Sequence, residues 1–459
     1  MARLIQYDTA IIGAGFAGLS AAVRLARRGA RVIVLEARSR LGGRATAFHD
    51  RDTGELVDNG QHVLLGCYTA TFEFLREIGA EQNVTRQPQL RATMIDAEGV
   101  VSRLECPKLP APLHLLAGAC EWGALSWRDR AALLRMSTPL RLAVKQARAA
   151  HKSPEGASGS GRIAASPGET VENWLIRNGQ TPRLREMLWE PLALAALNQS
   201  PADAAAPVFA RVLAEMFGGD ADAAAIVLPA RPLHLMYAEP ARSFIERHGG
   251  SVRTGVSARL RREPDGAIAV HAGDDVIEAT SVVSAVPWFA LGELFEQPPR
   301  ELADILQRAR NTVSCPIVTV NLWFDRRVID EPFVGLPGRV MQWVFDKRTV
   351  FGGNASHLSL VSSGADEIVR KNNDELIAIA RDELIASLPV VRDANLMRAT
   401  VVREPRATFS LAPGQPRRPG SATPLGGFVL AGDWVDTGLP ATIESAVRSG
   451  HRAADLIAR

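Results

Sequence analysis

A glycine-rich turn near the start of the chain has the spacing of a dinucleotide-binding site. Gly13, Gly15 and Gly18 form a GxGxxG pattern, and the acidic residue Glu36 follows at the distance typical of such sites. The first glycine permits a tight turn, the second lets the backbone approach a pyrophosphate, and the third lets a helix pack closely. A carboxylate at Glu36 accepts from ribose hydroxyls and disfavours NADP. The pattern therefore predicts a site for a nucleotide with a free 2′-hydroxyl.

The elements that must hold these residues are a strand, a turn, a helix and a second strand. Residues 9–12 form a short apolar run, residues 19–26 repeat apolar side chains at helical spacing, and residues 31–35 form a second apolar run. Phe16 and Ala17 then stand at the helix N-terminus, where free N–H groups and the helix dipole attract phosphates. This context favours a Rossmann-type unit over an isolated glycine turn.

A second glycine pair decides which dinucleotide is expected. Ala37 follows Glu36, and the loop then reaches Gly43 and Arg44, so the block reads E-A-x-x-x-x-G-G-R. Its N–H groups and guanidinium suit the same pyrophosphate. Placed directly after a Rossmann unit, the block resembles the amine oxidase and phytoene desaturase superfamily of flavoproteins. That resemblance implies FAD as a tightly bound prosthetic group.

The far end of the chain resembles the second FAD contact of the same superfamily. A short apolar run ends at Gly432 and Asp433, and a helix is predicted to begin at Thr442 and Ile443. The resemblance implies that Asp433 holds the ribityl or phosphate region and that the helix start presents N–H groups to the flavin ring. It also implies that Val256, in a separate strand, lies near the adenine.

Because these blocks lie at opposite ends of the chain, the nucleotide domain must be discontinuous. We expect an α/β protein with a Rossmann-type, GR2-like flavoprotein fold for the FAD-binding domain, made of residues 1–95, 230–300 and 400–459. Residues 96–229 and 301–399 would form an inserted α+β substrate domain that includes membrane-facing helices.

Three further blocks narrow the resemblance. The segments 58–68 (D-N-G-Q-H-V-L-L-G-C-Y), 189–198 and 431–442 resemble the squalene-associated FAD-dependent desaturases, understood as hydroxysqualene dehydroxylases of hopanoid synthesis. The resemblance implies that hydroxysqualene, an apolar isoprenoid, loses its hydroxyl and gains hydride from reduced FAD, giving squalene. It also places the first block along the flavin ring, with three expected contacts at Gly60, Gln61 and His62.

This chemistry needs a proton donor and a dry pocket. Hydroxide leaves poorly, so a general acid should protonate it. His62 and Glu190 are the preferred candidates, with Asp58 and Asp436 also open. A buried carboxyl at Glu190 would have a raised pKa. Aromatic faces would shield the carbocation, and the residues considered for this cage are Tyr68, Phe74, Trp189 and Trp434.

Composition excludes several other classes of protein. A length of 459 residues suits two or three domains at ~150 residues each. The net charge of +3 and the scattered arginines disfavour a nucleic-acid partner. Four cysteines without a CxxC pair disfavour a disulfide scaffold and a metal site. The start of the chain lacks a signal-peptide pattern, so we expect a cytoplasmic location.

One stretch leaves the membrane question open. Residues 107–150 combine proline, leucine and tryptophan with a helix rich in arginine. This pattern is typical of an interfacial helix, but it also fits a substrate-domain helix with a solvated basic face. An apolar substrate drawn from a bilayer favours peripheral contact with the cytoplasmic membrane. No second dinucleotide motif indicates the electron donor.

Other functions fit parts of the sequence. A flavin desaturase acting on a carotenoid-type polyene would use the same fold with electrons flowing from substrate to FAD. An amine or protoporphyrinogen oxidase is a second alternative. Many amine oxidases place a lysine near the flavin, but Lys347 and Lys371, the lysines of the second half, lie in no recognised motif. A non-catalytic FAD-bound membrane-surface subunit is a third alternative.

Overall fold

A computed structural model describes residues 4–51, 53–109, 113–152, 163–263, 268–352 and 355–458. The strands in these ranges are β1 (Leu4–Ile12), β2 (Val32–Glu36), β3 (Ala47–His49), β4 (Leu56–Asp58), β5 (Leu64–Leu65), β6 (Val84–Arg86), β7 (Arg91–Ile95), β8 (Val101–Glu105), β9 (Ile226–Pro229), β10 (Ser251–Thr254), β11 (Ala258–Arg262), β12 (Ile268–Ala272), β13 (Asp275–Ser284), β14 (Ser314–Phe324), β15 (Phe333–Gly335), β16 (Trp343–Asp346), β17 (His357–Ser363), β18 (Leu396–Phe409) and β19 (Phe428–Leu430). The α-helices are α1 (Phe16–Arg27), α2 (Thr69–Glu77), α3 (Leu113–Glu121), α4 (Trp127–Leu134), α5 (Ser137–Lys152), α6 (Val171–Arg177), α7 (Pro182–Leu184), α8 (Glu190–Leu197), α9 (Ala206–Phe217), α10 (Glu239–Arg247), α11 (Trp288–Leu291), α12 (Ala303–Asn311), α13 (Arg348–Phe351), α14 (Asn373–Ser387) and α15 (Ile443–Ile457).

The first large sheet carries the predicted nucleotide-binding unit. Its strand order is β10-β2-β1-β13-β12-β11, and β19 pairs with residues 282–284 at the end of β13. Strands β10, β2, β1, β13 and β19 run parallel, whereas β12 and β11 are antiparallel. Every residue of β2 is buried, as expected for a parallel strand covered on both faces. The discontinuous Rossmann-type sheet is thus built from the start, middle and end of the chain.

Two helices from opposite ends of the chain cover this sheet together. Helices α1 and α15 pack so closely that a Cβ at Gly450 would lie 2.3 Å from both the carbonyl oxygen of Ala17 and the hydroxyl of Ser20. At the other side of α1, a Cβ at Gly18 would lie 1.9 Å from the carbonyl oxygen of Gly13. The third glycine of the motif is therefore needed for packing against the turn that precedes the helix.

The second large sheet has the order β18-β14-β17-β16-β15-β7-β8. Its neighbouring strands are antiparallel except for β15 and β7. Helix α14 packs on it over a core that includes Leu322, Leu360 and Leu376. Three strands lie differently from the predicted division of the chain. Strand β7 belongs here although residues 1–95 were assigned to the FAD domain, and β18 crosses the boundary at 400. Strand β9, assigned to the substrate domain, pairs with β5 and β6.

A helical layer completes the fold. Helices α3–α9 enclose a core that contains Trp122, Trp174, Trp189 and Phe209. A π-helical turn spans Arg185–Trp189, immediately before α8. Among the helices in the described ranges, none combines the length and apolar character needed to cross a bilayer.

Candidate active site

A cavity of about 570 Å³ lies where the two large sheets meet. Its volume falls in the range of sites that bury a small organic molecule. Most of the residues predicted from sequence to contact the cofactor line it, namely Gly13, Gly15, Phe16, Ala17, Glu36, Ala37, Gly43, Arg44, Gly60, Gln61, His62, Val256, Gly432, Asp433, Thr442 and Ile443. The one exception is Gly18, which stands behind the turn.

The phosphate end of the cavity is made of two glycine loops in contact. Gly13 has a φ of 107°, and a Cβ there would lie 2.8 Å from the carbonyl oxygen of Ala285. Gly43 has a φ of 59°, and its Cβ would lie 3.3 Å from the Cα of Gly15. Because these glycines carry no side chains, the backbone N–H groups at the N-terminus of α1 can approach a pyrophosphate closely. The glycine cradle therefore fits a dinucleotide.

Glu36 is held ready at the end of β2. Its side chain is largely buried, and its oxygens accept from the backbone N–H groups of Ala14 and Arg38, both at 2.9 Å. A carboxylate has about four acceptor positions, so two remain for ribose hydroxyls. The N–H of Val256 donates to the carbonyl oxygen of Glu36 at 3.0 Å. The connection between β10 and β11, which carries Val256, is thereby held at the nucleotide end of the cavity.

An ion pair joins the two ends of the chain at the middle of the cavity. The guanidinium of Arg44 lies 2.5 Å from Asp433 Oδ1 and donates to the carbonyl oxygen of Ala407 at 2.6 Å. Gly432, with a φ of 146°, donates its N–H to the hydroxyl of Ser449 at 2.8 Å. A cation and an anion are thus set beside the glycine loops, where phosphate and ribityl groups would lie.

The N-terminus of α15 forms the next part of the wall. Thr442 caps it, accepting from the N–H of Ser445 at 3.1 Å, and Ile443 begins the helix. Buried Glu444 accepts from the N–H and the hydroxyl of Thr71 at 2.9 and 2.8 Å. Arg448 donates to the same carboxylate at 2.7 Å. The helix dipole therefore points at the cavity from a firmly anchored end.

His62 lines the cavity in a neutral form. Burial lowers the pKa of the imidazole to about 4, and the attraction of Asp58 only partly offsets this effect. A neutral imidazole can donate one hydrogen bond but has no readily transferred proton at neutral pH. At neutral pH His62 can therefore donate a hydrogen bond, but it does not carry the extra proton that the predicted general acid would transfer.

The carboxyl groups proposed as acids lie outside the cavity lining. Glu190 is exposed at the start of α8, and its pKa is raised first by desolvation and then by Glu186 and Glu172. Because an exposed side chain outside the lining cannot touch reacting atoms there, the geometry argues against Glu190 as the acid. Asp436 is 3.4 Å from Arg418, and Asp58 is buried behind the wall.

Aromatic and apolar groups make up the deeper wall. Tyr68 and Trp434 line the cavity as expected for a cage, and burial raises the pKa of the Tyr68 phenol so that it stays neutral. Trp189 instead donates to Gln180 in the core at 2.9 Å, and Phe74 packs edge-on to Phe16. The sequence did not single out several other residues of this wall, which are Phe289, Ile317, Trp343, Phe345, Val361 and Glu404. Most lie on the second sheet, which no motif marks.

Comparison with known proteins places the chain in a family. Residues 16–458 match the family described as flavin containing amine oxidoreductase. The chain belongs to this family. Together with the glycine cradle and the two helix N-termini, membership makes it an FAD-dependent oxidoreductase, which confirms the predicted cofactor and class. In the described residues no group of His, Cys, Asp and Glu could hold a metal ion.

Relatives and solved structures agree with this family. A hydroxysqualene dehydroxylase of Rhodopseudomonas palustris is 31% identical, with 97% of each chain covered. A 15-cis-phytoene desaturase of Narcissus pseudonarcissus is 27% identical over 98% of this chain and 79% of its own. Among solved structures, putrescine oxidase shares 20% identity and a TM-score of 0.72 over 100% of both chains. Cyclohexylamine oxidase from Brevibacterium oxydans shares 19% identity and a TM-score of 0.71 over 98% of both. These likenesses confirm the flavoprotein fold.

Proposed function

We propose that this enzyme reduces hydroxysqualene to squalene with hydride from reduced FAD. The observation that carries the proposal is similarity along almost the whole chain to three hydroxysqualene dehydroxylases, at 31%, 30% and 29% identity. The bound cofactor supplies the hydride. The substrate carbon gains it, and the hydroxyl takes up a proton and leaves as water. The site therefore has to bind an apolar chain, exclude water and direct hydrogen bonds to one oxygen.

The deeper wall suits these tasks. Ile317, Phe345 and Val361 offer apolar surface, and the ring faces of Tyr68 and Trp434 attract a carbocation. A wall of this kind keeps water away from the cation. We propose that FAD contacts sixteen of the seventeen residues predicted for it, through the glycine cradle, the Arg44–Asp433 pair and the start of α15, and that Gly18 acts through packing alone.

We propose that the leaving oxygen receives hydrogen bonds from neutral groups. The neutral imidazole of His62 and the phenol of Tyr68 both line the cavity and can donate. They orient the hydroxyl, and reduced FAD, when bound, would supply the proton together with the hydride, so that the hydroxyl leaves as water. Glu190 has no part in this proposal because its side chain lies outside the cavity.

The rival functions make different demands on the site. A phytoene desaturase needs the same apolar wall, and the similarity to such enzymes at 27% identity keeps this alternative open. An amine oxidase with a lysine beside the flavin fits less well, because Lys347 lies behind Gln61 and outside the cavity lining.

An anaerobic single-turnover experiment tests the proposal. Enzyme with chemically reduced FAD is mixed with hydroxysqualene, and flavin absorbance and product are followed together. We expect flavin reoxidation and squalene formation in equal amounts. As a matched control, enzyme with oxidised FAD is mixed with phytoene, which should leave the flavin oxidised. No reoxidation by hydroxysqualene, or reduction of oxidised enzyme by phytoene, would exclude dehydroxylation as the activity.

A further inference from the structure

A buried lysine lies directly behind the cavity wall. Lys347 follows β16, and its side chain is 3% exposed. Its Nζ lies 2.7 Å from Asp58 Oδ2 and 2.8 Å from Gln61 Oε1. Lysine is almost never fully buried without a partner, because the charge loses its hydration. The sequence offered no signal for this contact, since 286 positions separate Lys347 from Gln61.

The ion pair is a costly way to hold the protein together. Asp58 is 5% exposed and also accepts from the N–H of Leu233 at 3.1 Å. Desolvating two charges offsets most of their attraction, and well-packed apolar side chains would hold the same elements equally well. Stability alone therefore gives a weak reason for a charged pair at this position, and the third group bound to Lys347 suggests another.

That third group is the side-chain amide of Gln61, which lines the cavity although Lys347 and Asp58 do not. An ammonium can only donate hydrogen bonds, so the amide must turn its oxygen to Lys347 and its nitrogen away. Gln61 Nε2 donates one hydrogen bond to the carbonyl oxygen of His62 at 3.1 Å. Within the described residues the second N–H has no protein acceptor. It is left for a ligand in the cavity.

We propose that Lys347 is a positioning residue that orients the amide of Gln61 so that its free N–H faces the flavin. A donor at the ring favours the reduced cofactor, which carries more electron density than the oxidised form. Without Lys347 the amide could turn over and present its oxygen, which would disfavour the reduced flavin. This inference rests on the FAD of the proposed function and does not depend on which substrate the enzyme takes.

The test measures the reduction potential of the holoenzyme by dye equilibration, which needs no substrate. Gln61→Met removes the donor and keeps the side-chain length. Lys347→Met is combined with Asp58→Asn, so that no unpaired charge is buried and the net charge is unchanged. A triple variant carries all three changes. Lys371→Met is the control, because Lys371 is 40% exposed and 4.0 Å from Glu375 on the surface.

We expect Gln61→Met and the Lys347–Asp58 double variant to shift the potential to more negative values, and the triple variant to equal Gln61→Met. The Lys371→Met control should have the wild-type potential. Lys347→Arg, which keeps hydrogen-bond donors at this position, should also have the wild-type potential.

Three outcomes would overturn the proposal. An unchanged potential in Gln61→Met would mean that the amide does not face the flavin. An unchanged potential in the double variant would mean that Lys347 does not orient it. Additive shifts in the triple variant would mean that the two residues act separately. If the double variant binds no FAD, Lys347→Leu with Asp58→Asn, which also lacks a donor at position 347, is interpreted in the same way. Since the potential is independent of substrate, failure of the dehydroxylation experiment leaves this result standing.

Discussion

Burial changes what a side chain in the cavity can do, and His62 shows this at the scale of one residue. Its place in the D-N-G-Q-H block predicts contact with the flavin, and it lines the cavity. A free histidine would be about half protonated near pH 6.5. Burial lowers the pKa of His62 to about 4 because the imidazolium loses its hydration. The ring is therefore a hydrogen-bond donor at neutral pH and not a charged acid.

We predict that the rate of flavin reoxidation by hydroxysqualene does not change near pH 6.5 through protonation of His62. The single-turnover rate is measured from pH 5.5 to 8 in the wild type and in His62→Asn, which keeps an N–H donor. Both profiles should have the same shape. A rate that falls above pH 6.5 in the wild type and loses this limb in His62→Asn would show that the imidazolium is the acid.

The same pKa affects stability. Because the folded pKa lies below the unfolded value of 6.5, unfolding is favoured by proton uptake at low pH. The contribution of neutral His62 to the free energy of unfolding is complete above pH 6.5 and is lost as the pH falls toward 4. The melting temperature of the wild type should therefore drop more between pH 7 and 5 than that of His62→Asn, and equal drops would contradict the shifted pKa.

At the scale of elements, the start of α15 depends on groups far away in sequence. Ser445 is fully buried, and its hydroxyl bonds to the hydroxyl of Thr437 at 2.6 Å and donates to the carbonyl oxygen of Asp433 at 3.1 Å. Glu444 joins α15 to α2 through Thr71. The helix N-terminus that faces the cavity is thereby fixed in position by side chains and not by the helix alone.

We predict that Glu444→Gln lowers the free energy of unfolding by about 1–3 kcal/mol and weakens FAD binding. An amide cannot accept every bond that the carboxylate accepts from Thr71 and Arg448, and a buried donor left unpaired is costly. Urea unfolding of apoprotein and fluorescence titration with FAD measure the two effects. Glu367→Gln, on an exposed side chain, is the matched control. Equal stability of the two variants would contradict this role for Glu444.

At the scale of the whole molecule, the surface of the helical layer bears on where the substrate comes from. Large apolar side chains are exposed on or beside α3 and α4, with Leu113 at 53%, Trp127 at 71% and Leu134 at 55% exposure. Arg128 lies over the Trp127 ring, and exposed basic residues continue along α5. We propose that this surface docks on an anionic bilayer, because apolar and basic groups together suit the headgroup boundary.

We predict that the enzyme cosediments with phosphatidylglycerol-containing vesicles at low salt and less so at high salt. The double change Trp127→Ser and Leu134→Ser should reduce binding roughly tenfold through lost apolar burial. Met397→Ser, which removes a 60% exposed apolar side chain from β18, is the control and should bind as the wild type does. Absence of cosedimentation at low salt, or equal loss in both variants, would exclude this docking surface.

The amino-acid sequence by itself indicated a dinucleotide site, and its resemblance to a flavoprotein superfamily indicated FAD and the parts that hold it. Glycine spacing, an acid at a strand end and a helix start are local features, because each is set by residues that are close along the chain. In the structure, the predicted residues from both ends of the chain lie together around one cavity. Their presence at opposite ends also required a discontinuous domain, which the first sheet has.

Only the tertiary structure decided which groups face the cavity and in which charge state. Glu190 and Trp189 belong to a recognised block, yet one is exposed and the other is in the core, because orientation on a helix depends on what packs against it. The second sheet provides Trp343, Phe345 and, behind them, Lys347 without any motif, since its strands pair over long separations. Pairing and burial arise from contacts across the fold, which local spacing does not encode.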